Sequence, residues 1–475
     1  MAQSQTLTIE RRSIDVIPAD ERHGSPWHQF TLWCGANLQI TAIVDGALAV
    51  VFGVHPIWAI VGLLLGNLFG GAVMALHSAQ GPRLGLPQMI SSRAQFGVYG
   101  AVVPLVLVVI MYLGFAVTGT VLSGQAINAF LGVTEPAVGI VVFSALTAII
   151  ATVGYRLIHV MGRISTVIGA FGLFYLAYRL FTQHDVVAAV ADSRFDAPAF
   201  LLAIALSAGW QLTFGPYVAD YSRYLPASTS SRKVFATTLL GTVVGAQCSM
   251  TLGVLIATVA GEPFLTNQVQ FLGELAGPAV VAAIVYLVIV VGKLAANCLN
   301  AYGGFMCALT TVTAFTGSIR ISKLARTLVI VSMMVVAAVI AIIASADFLN
   351  NFKNFILLLL MVFTPWSAIN LIDYYLISHE RVDLVALHDP DGAYGRWNAA
   401  ALTSYVVGIV AQVPFLAQAL YTGPITKMLG GADISWLVGL VVTAAIYYPW
   451  AKRTNPLGRL TSHPVAEAAP VEVKP

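Results

Sequence analysis

The stretch SAGWQLTFGPYVADYSRYLP, residues 207–226, lies in a long apolar segment but contains residues that interrupt helices. It holds two glycines, a proline and a Trp–Gln pair, and it ends with an acid and a base, Asp220 and Arg223. An uninterrupted membrane helix needs none of these residues. At membrane depth, glycine and proline are tolerated where the freed backbone groups line a cavity or meet neighbouring protein. The break therefore predicts a binding site in the middle of a membrane span.

The composition indicates an integral membrane protein in contact with a lipid bilayer. Of the 475 residues, 58% are hydrophobic and 9% are charged, whereas soluble domains carry about 25% charged residues. A net charge of +3 gives no reason to expect a nucleic-acid partner. All four cysteines lie in apolar segments, where a free thiol behaves as a small hydrophobic group, so we expect neither disulfides nor a metal site.

The absence of several motifs separates the function classes. The chain has no Walker A motif, no HExxH and no GxSxG, which argues against an ATP-driven pump and against a membrane-embedded enzyme. It also shows no repeated selectivity filter of the kind that channels carry. A secondary transporter explains interrupted helices and deep polar residues together.

Polar and Gly/Pro-rich breaks divide the chain into twelve apolar segments, each close to the ~20 residues that a membrane helix needs. These spans, numbered 1 to 12 in chain order, are 28–54, 57–80, 100–131, 137–155, 161–181, 199–219, 234–260, 278–310, 326–346, 354–378, 400–421 and 434–450. With both termini cytoplasmic, 19 of the 24 Lys and Arg residues fall inside, four fall outside and one lies within a helix. This asymmetry is the positive-inside pattern and predicts twelve spans with both ends inside.

The spans predict four regions: a cytoplasmic N-terminal tail (1–27), a ten-helix transport core (28–378), two additional membrane helices (400–450) and a cytoplasmic C-terminal tail (451–475). Residues 1–26 contain no apolar core of signal-peptide type, so we expect the first span to direct targeting. The expected location is the plasma membrane, which is the inner membrane in a bacterium. The sequence indicates no particular oligomeric state.

Span 1 is interrupted in the same way as span 6. In WCGANLQITAIVDG, residues 33–46, the polar or small residues Gly35, Asn37, Gln39 and Asp45 break an apolar run. Spans 1 and 6 are the first members of two five-helix sets. Paired interruptions at corresponding positions indicate a transporter built from inverted repeats, with its site at the bilayer midplane.

Span 8 carries a third polar cluster, GKLAANCLNAYGG, residues 292–304. Asn297 and Asn300 are three residues apart and share a helix face. Lys293 lies deep in the apolar span, where a lysine costs roughly 3 kcal/mol. Either its ammonium snorkels to the interface, or a partner holds it inside, and Asp45 is the candidate partner by charge.

Two further features concern packing and access. Gly62, Gly66 and Gly70 of span 2 form a small-residue ridge that predicts a close approach by another helix. The polar loop 82–97 that follows is either a gate or a connector, and we expect Asp220 and Arg223 to brace a gate at the cytoplasmic end of span 6.

Five stretches resemble the nucleobase cation symporter family, in particular its purine–cytosine permease branch. They are LGLPQMISSRAQFG (84–97), GWQLTFGPYVADYSRYLP (209–226), AANCLNAYGG (295–304), PWSAINLIDYYL (365–376) and GADISWLVGL (431–440), in the family's order. The resemblance implies an all-α polytopic membrane protein of the LeuT type, a 5+5 inverted repeat with discontinuous helices 1 and 6 plus two C-terminal helices. It also implies alternating-access uptake of a flat nitrogenous base by cation symport, without a cofactor.

The resemblance implies a substrate site of seven residues: Trp210, Gly209, Gln211, Tyr112, Asn297, Asn300 and Gln39. Trp210 would stack on the base and Gly209 would offer a backbone contact. Asn297 and Asn300 would hydrogen-bond the base or brace its site, and Gln39 and Gln211 are second-rank candidates for reading the base edge. Family members usually carry Trp at the position of Tyr112 and an amide four residues later, where this chain has Ala116.

The coupling ion is expected to be H⁺ rather than Na⁺. Sodium-coupled relatives carry a Ser–Thr pair on span 8, where this chain has Leu294 and Ala295 beside Lys293. Hard cations need oxygen ligands, which these two side chains do not offer. We hypothesise that the Lys293 ammonium stands where Na⁺ would sit and titrates during transport. Asp45 would be its counter-ion or would meet a cationic substrate. Hydantoins, allantoin and pyridine-type vitamins, which relatives carry, stay open as alternative substrates, as does Na⁺ coupling.

Overall fold

The computed structural model describes residues 16–153, 155–316, 322–418 and 421–454, and most of these residues are helical. Most of the two tails that are predicted to be cytoplasmic, residues 1–15 and 455–475, lie outside the described residues. A helix is present in each of the twelve segments that the sequence predicts to be spans.

The helices of the first half of the chain are α1 (Trp27–Asn37), α2 (Ile40–Val51), α3 (Pro56–Ser78), α4 (Gly81–Leu84), α5 (Gln88–Ser91), α6 (Arg93–Phe96), α7 (Val102–Leu131), α8 (Pro136–Val153), α9 (Tyr155–Gln183), α10 (Val186–Ala191), α11 (Ala197–Leu212) and α12 (Ala219–Ser222). Those of the second half are α13 (Ser231–Ala260), α14 (Glu262–Thr266), α15 (Gln268–Ala276), α16 (Ala279–Thr316), α17 (Lys323–Ala344), α18 (Phe348–Leu371), α19 (Ala399–Gln412), α20 (Pro424–Met428) and α21 (Ser435–Thr454). Short 3₁₀ turns occupy Ala19–Glu21, Ser345–Asp347, Ala386–His388 and Val413–Phe415, and a π-helical segment, Ile372–Ile377, follows α18.

Both predicted interruptions are confirmed. α1 and α2 meet at an angle of 62°, and Gln39 between them is extended, with φ −148° and ψ 160°. α11 ends at Leu212, a run of turns follows, and α12 begins only at Ala219. Spans 1 and 6 are therefore discontinuous at the positions where the sequence places Gly, Asn and Pro.

Only some of the helices are both long enough and apolar enough to cross a membrane by themselves. Among the described residues, five helical stretches are long and apolar enough to cross a membrane, and six when α1 and α2 are counted as one bent span. α8, α11 and α19 are apolar but shorter. The number of twelve spans stays a prediction.

Some predicted boundaries were wrong. Span 11 was expected to reach residue 421, but α19 ends at Gln412, and Pro414 in the turn that follows has no backbone N–H to continue a helix. A small antiparallel pair of strands comes next, β1 (Ala417–Gln418) and β2 (Tyr421–Thr422). The sequence reading also missed α14 and α15, which connect spans 7 and 8.

The helices pack in two groups. α1, α2, α3, α11 and α13, which correspond to spans 1, 2, 6 and 7, pack on one another. α7, α8, α16 and α17, which correspond to spans 3, 4, 8 and 9, form the second group. The broken helices belong to the first group and the polar face of α16 belongs to the second, so their interface is where the deep polar residues of both meet.

The glycine ridge on α3 is confirmed as a contact surface for α11. A Cβ at Gly62 would lie 2.8 Å from the Ala203 side chain, and one at Gly66 would collide with the Ser207 hydroxyl and the Ile204 carbonyl oxygen. Only glycine allows the two backbones to approach so closely.

We expect Gly66→Leu to destabilise the protein by about 3 kcal/mol or more, because overpacking of a rigid helix contact displaces backbone rather than a flexible side chain. Thermal unfolding of detergent-purified protein measures this effect. Gly292→Ala is the matched control, since a Cβ at Gly292 meets nothing within 4 Å. A Gly66→Leu protein that unfolds at the wild-type temperature would contradict the close contact.

The first and last described segments lie at the same end of the bundle. The Ile17 backbone N–H donates to the Gly85 carbonyl at 2.9 Å. Near the end of α21, the Tyr447 hydroxyl donates at 3.0 Å to Asp373, which also accepts from Gln95 of α6 at 3.1 Å. The first described segment therefore contacts the loop that carries α4 to α6 directly, and α21 is linked to the same loop through Asp373.

Candidate functional site

Aromatic rings fill the space beside the two helix breaks. We call this set the aromatic cluster: Trp33, Tyr112, Phe115, Trp210, Phe214, Tyr217, Tyr221 and Phe355. Neighbouring ring centroids are 5.3 to 6.5 Å apart, in edge-to-face or tilted arrangements. Such a site suits a flat ring, because aromatic pairs gain about 1 kcal/mol beyond the area that they bury.

Trp210 connects the two broken spans. Its indole Nε1 donates to Asn37 Oδ1 at 2.7 Å. Asn37, the last residue of α1, donates in turn to the Trp33 carbonyl at 2.8 Å and to Thr242 Oγ1 at 3.1 Å. This network fixes the Trp210 ring, which is 2% exposed. The sequence reading counted Asn37 only as an interruption, although its position in the span 1 break was the available signal.

Gly209 and Gln211, which flank Trp210, face other helices. A Cβ at Gly209 would lie 2.8 Å from the Ile356 side chain of α18, so this glycine permits a helix contact. Gln211 accepts from Thr242 Oγ1 at 2.6 Å and donates to Asn67 Oδ1 at 2.9 Å. The oxygen and the nitrogen of the Gln211 side-chain amide are thus both hydrogen-bonded to protein. This arrangement does not support its predicted role in reading a base.

Tyr112 of α7 faces α16 and the span 6 break. A Cβ at Gly303 would lie 2.5 Å from its ring, so the absence of a side chain there accommodates the tyrosine. The ring lies 5.5 Å from that of Tyr217, centroid to centroid, with a tilt of 36°. Tyr112 therefore belongs to the aromatic cluster through Tyr217, and the described residues show no ring contact between Tyr112 and Trp210.

Lys293 is held inside the protein. Its ammonium donates to Gln39 Oε1 at 2.9 Å and to Thr41 Oγ1 at 2.6 Å, and the residue is 4% exposed. Snorkelling to the interface is therefore excluded in this conformation. Gly119 of α7 makes room for the side chain, because a Cβ there would lie 2.9 Å from Lys293 Cε. The ammonium thus bridges α16 and the break between α1 and α2.

Gln39 is fully occupied in this arrangement. While its Oε1 accepts from Lys293, its Nε2 donates to the Ala36 carbonyl at 2.8 Å. Gln39 therefore positions the lysine and satisfies a carbonyl at the end of α1. The sequence reading missed Thr41 because a hydroxyl in an apolar helix is common and carries no signal of its own.

Asp45, the candidate partner of Lys293 by charge, does not pair with it in this structure. Asp45 is fully buried, and neither of its carboxyl oxygens has a hydrogen-bond partner among the described residues. Thr41 precedes it by four residues and so lies one turn away on the same face of α2. The hydroxyl, not the carboxylate, meets the ammonium. A buried ionised carboxylate without hydrogen-bond partners is very costly.

Asn297 and Asn300 differ in their surroundings. Asn297 Nδ2 donates to the Ala116 carbonyl at 2.9 Å and to Thr120 Oγ1 at 3.2 Å, which ties α16 to α7. Its Oδ1 is buried and has no partner in the described chain. Asn300 is half-buried and no hydrogen bond of its side chain is found in the same residues. Asn297 thus offers one acceptor, and Asn300 a complete amide, on one side of α16.

No metal site accompanies these residues. Across residues 16–153, 155–316, 322–418 and 421–454, no group of three or more His, Cys, Asp or Glu side chains is arranged to hold a metal ion. The oxygen atoms at the span 1 break, Gln39 Oε1 and Thr41 Oγ1, bind the lysine instead.

The loop from 82 to 97 is a buried, hydrogen-bonded layer. The Gln88 backbone N–H donates to Asp220 at 2.8 Å, so Asp220 holds this loop against α12. Arg93 is buried and its guanidinium donates to the carbonyls of Leu387 and Thr310. Burial lowers the pKa of that guanidinium below its ordinary value. The loop is therefore anchored to α12, to the end of α16 and to the segment after the π-helix.

Comparison with known proteins gives one consistent result. Residues 16–439 match the model of a family described as permease for cytosine/purines, uracil, thiamine, allantoin. The chain is 38% identical over 443 residues to the putative purine-cytosine permease YxlA of Bacillus subtilis, which covers 93% of this chain and 96% of that protein.

Two solved structures of Mhp1 share the architecture. The inward-facing conformation superposes with a TM-score of 0.77 at 18% identity, over 95% of this chain and 96% of that one. The closed conformation of Mhp1, a nucleobase-cation-symport-1 family transporter with bromovinylhydantoin bound, gives 0.71 at 19% identity, over 94% and 97%. These likenesses confirm the predicted LeuT-type fold.

Proposed function

The chain belongs to the family of permeases for cytosine/purines, uracil, thiamine and allantoin, and from that premise we propose that it imports a nucleobase, cytosine or a purine, by proton symport. It is a multi-pass membrane transporter and not an enzyme. In the proposal it works in the plasma membrane with both termini in the cytoplasm. The spans 1, 2, 6 and 7 move against spans 3, 4, 8 and 9 in alternating access.

The aromatic cluster is the observation that supports a flat heterocyclic substrate. Trp210, held by Asn37, presents its ring at the interface between the two helix groups. Asn297 Oδ1 is a buried acceptor without a partner in the described residues, and an N–H at the edge of a base would satisfy it. Asn300, on the same face, adds a donor and an acceptor. Tyr112 closes the cluster on the α7 side.

The Lys293 contacts support proton coupling. The ammonium donates hydrogen bonds to Gln39 Oε1 and Thr41 Oγ1. These are the oxygen atoms at the span 1 break that a hard cation would need as ligands. Protonated Lys293 joins the two helix groups, since α16 belongs to one and the α1–α2 break to the other. When Lys293 gives its proton to the cytoplasmic side, this charged link weakens and the groups can separate. Asp45, which lies one helical turn from Thr41 on α2, is the proposed second proton carrier of this region.

A second candidate substrate is another flat polar ring. The Mhp1 structure with bromovinylhydantoin bound favours it, and the family description includes uracil, thiamine and allantoin. Each of these ring compounds would stack on the same aromatic cluster. The site can therefore distinguish them only by the hydrogen-bonding groups at the ring edge that face Asn297 and Asn300.

A competition panel tests the substrate. In cells that express the protein, we expect uptake of labelled cytosine above the empty-vector level. Unlabelled adenine or hypoxanthine should halve this uptake at a concentration at least about tenfold lower than allantoin or a pyridine-type vitamin. The reason is that a buried site that hydrogen-bonds its ligand rejects rings whose edge groups do not match its donors and acceptors. If no purine or pyrimidine is taken up or competes, the nucleobase assignment fails, and the competitor that acts in its place identifies the alternative ring.

A further inference from the structure

A separate cavity of about 270 Å³ opens between α9, α15, α16 and the span 1 break. It shares no residue with the aromatic cluster. Its walls are almost wholly apolar and include Leu173 and Leu176 of α9 and Val285 and Ile289 of α16. Three polar side chains belong to its lining: Gln39 and Lys293, which are hydrogen-bonded to each other at one end, and Tyr175, whose hydroxyl donates to the Ala276 carbonyl at 2.7 Å.

The other end of the cavity opens on the apolar outer surface of the bundle. Phe171, which is 72% exposed, and Ile284, which is 54% exposed, lie on its rim. Both belong to helices that span the membrane in the proposed transporter, so the medium at this opening is the hydrocarbon of the bilayer. A molecule that enters here must be largely apolar.

Two glycines keep the cavity wide. A Cβ at Gly292 of α16 would meet nothing within 4 Å, and one at Gly172 of α9 would meet only Val288, at 3.8 Å. The glycines of α3 differ, because helix contacts fill the space over them. The space over Gly172 and Gly292 is therefore not needed for packing between these helices, and it is available to a ligand.

The inner end of the cavity offers a hydrogen-bond donor. An ammonium has three N–H groups, and that of Lys293 uses two of them on Gln39 and Thr41. No acceptor for the third is found among the described residues, and Lys293 lines the cavity. An N–H left without an acceptor at this depth is destabilising, and an acceptor group on a ligand would satisfy it.

We propose that this cavity binds an amphipathic carboxylic acid of medium chain length, with its carboxyl group on Lys293 Nζ and its aliphatic chain between α9 and α16, pointing towards the bilayer. The volume limits the size. An apolar cavity of about 150 Å³ holds benzene with its six carbon atoms, so by proportion this cavity holds roughly eleven non-hydrogen atoms, which corresponds to octanoic or decanoic acid. Because the acid occupies Lys293 and not the aromatic cluster, it binds whether or not the transported substrate is a nucleobase.

Photolabelling tests this site directly. Purified protein in phosphatidylcholine liposomes is illuminated with a decanoic acid that carries a diazirine on its chain, and labelled peptides are mapped by mass spectrometry. We expect the label on residues 168–176 and 281–293. Unlabelled decanoic acid should compete at least about tenfold better than decanol, since a charge-assisted hydrogen bond to the acid is absent in the alcohol.

Three variants separate the cavity from the general lipid surface. Gly292→Leu fills the cavity and should reduce labelling about tenfold, while Leu287→Phe, on a lipid-exposed position of α16 outside the cavity, should leave it unchanged. Lys293→Gln should remove the preference for the acid over the alcohol. Thermal unfolding checks that each variant is folded. Labelling that is spread over the outer surface and insensitive to Gly292→Leu would overturn the site. Equal competition by decanol and decanoic acid would overturn the role of Lys293 and leave only an ordinary lipid chain in the cavity.

Discussion

Lys293→Ala is expected to abolish proton-driven accumulation of substrate while leaving the protein folded. The substitution removes two hydrogen bonds to a charged donor and leaves the side-chain oxygens of Gln39 and Thr41 without their partner. Hydrogen bonds to charged groups contribute about 1.5–3 kcal/mol each. If the state in which Lys293 joins the two helix groups loses about 3 kcal/mol of stabilisation, the rate of coupled transport falls at least about 100-fold.

Proteoliposomes with imposed gradients provide the measurement. For the wild type, we expect uptake that follows an inwardly directed proton gradient and does not respond to a sodium gradient. Lys293→Ala should retain exchange of labelled for unlabelled substrate, which needs no net proton movement, and should lose accumulation. Lys293→Arg is the matched control, because arginine keeps the charge but does not release its proton; it too should exchange without accumulating. Sodium-dependent accumulation that persists in Lys293→Ala would contradict proton coupling through this residue.

The partner of Lys293 shows why part of the site could not be predicted from the sequence. The depth of the lysine in an apolar span was visible, and so was the need for a partner. The choice of Asp45 followed from charge, but Thr41 is one helical turn closer to the break and meets the ammonium instead. Contacts between residues some 250 positions apart depend on how α16 is rotated and how far it is shifted against α2, and neither quantity is encoded in a local pattern.

The backbone features were easier to predict. The breaks in spans 1 and 6 and the glycine ridge of α3 follow from local rules about Gly, Pro and polar residues in apolar helices, and the structure has them where the sequence places them. Local rules say less about Gly209. It was expected to offer a backbone contact to the base, whereas a Cβ at this position would lie 2.8 Å from the Ile356 side chain of α18. Whether a glycine faces a ligand or a helix is decided by tertiary packing.

Asn37 links a local sequence feature, the break in span 1, to a tertiary contact with span 6. As an interruption in span 1, it suggested only a bend, yet in the fold it accepts the Trp210 N–H and donates to Thr242 of α13. The break in one repeat thus orients the tryptophan in the other. This coupling makes the orientation of Trp210 sensitive to the geometry of span 1, where Lys293 also binds, so that the substrate ring and the coupling ion act on the same segment of backbone.

Trp210→Ala is expected to weaken substrate binding by about 10-fold to 100-fold, because stacking of a base on an aromatic side chain contributes about 1–3 kcal/mol. Trp210→Phe keeps a ring but leaves Asn37 Oδ1 without its donor. It should therefore show an intermediate loss, with a ring that is present but less firmly oriented. Equilibrium binding of labelled cytosine to detergent-purified protein gives the dissociation constant for each variant.

Trp436→Ala is the matched control for a lost tryptophan. Trp436 is also buried, but it packs on Phe69, at 5.0 Å between centroids, and is not part of the aromatic cluster. Its removal should lower thermal stability by about 3–5 kcal/mol without changing the dissociation constant. If instead Trp210→Ala binds cytosine with wild-type affinity while Trp436→Ala does not, the substrate lies elsewhere than against Trp210, and the role of the aromatic cluster reduces to holding the two broken spans together.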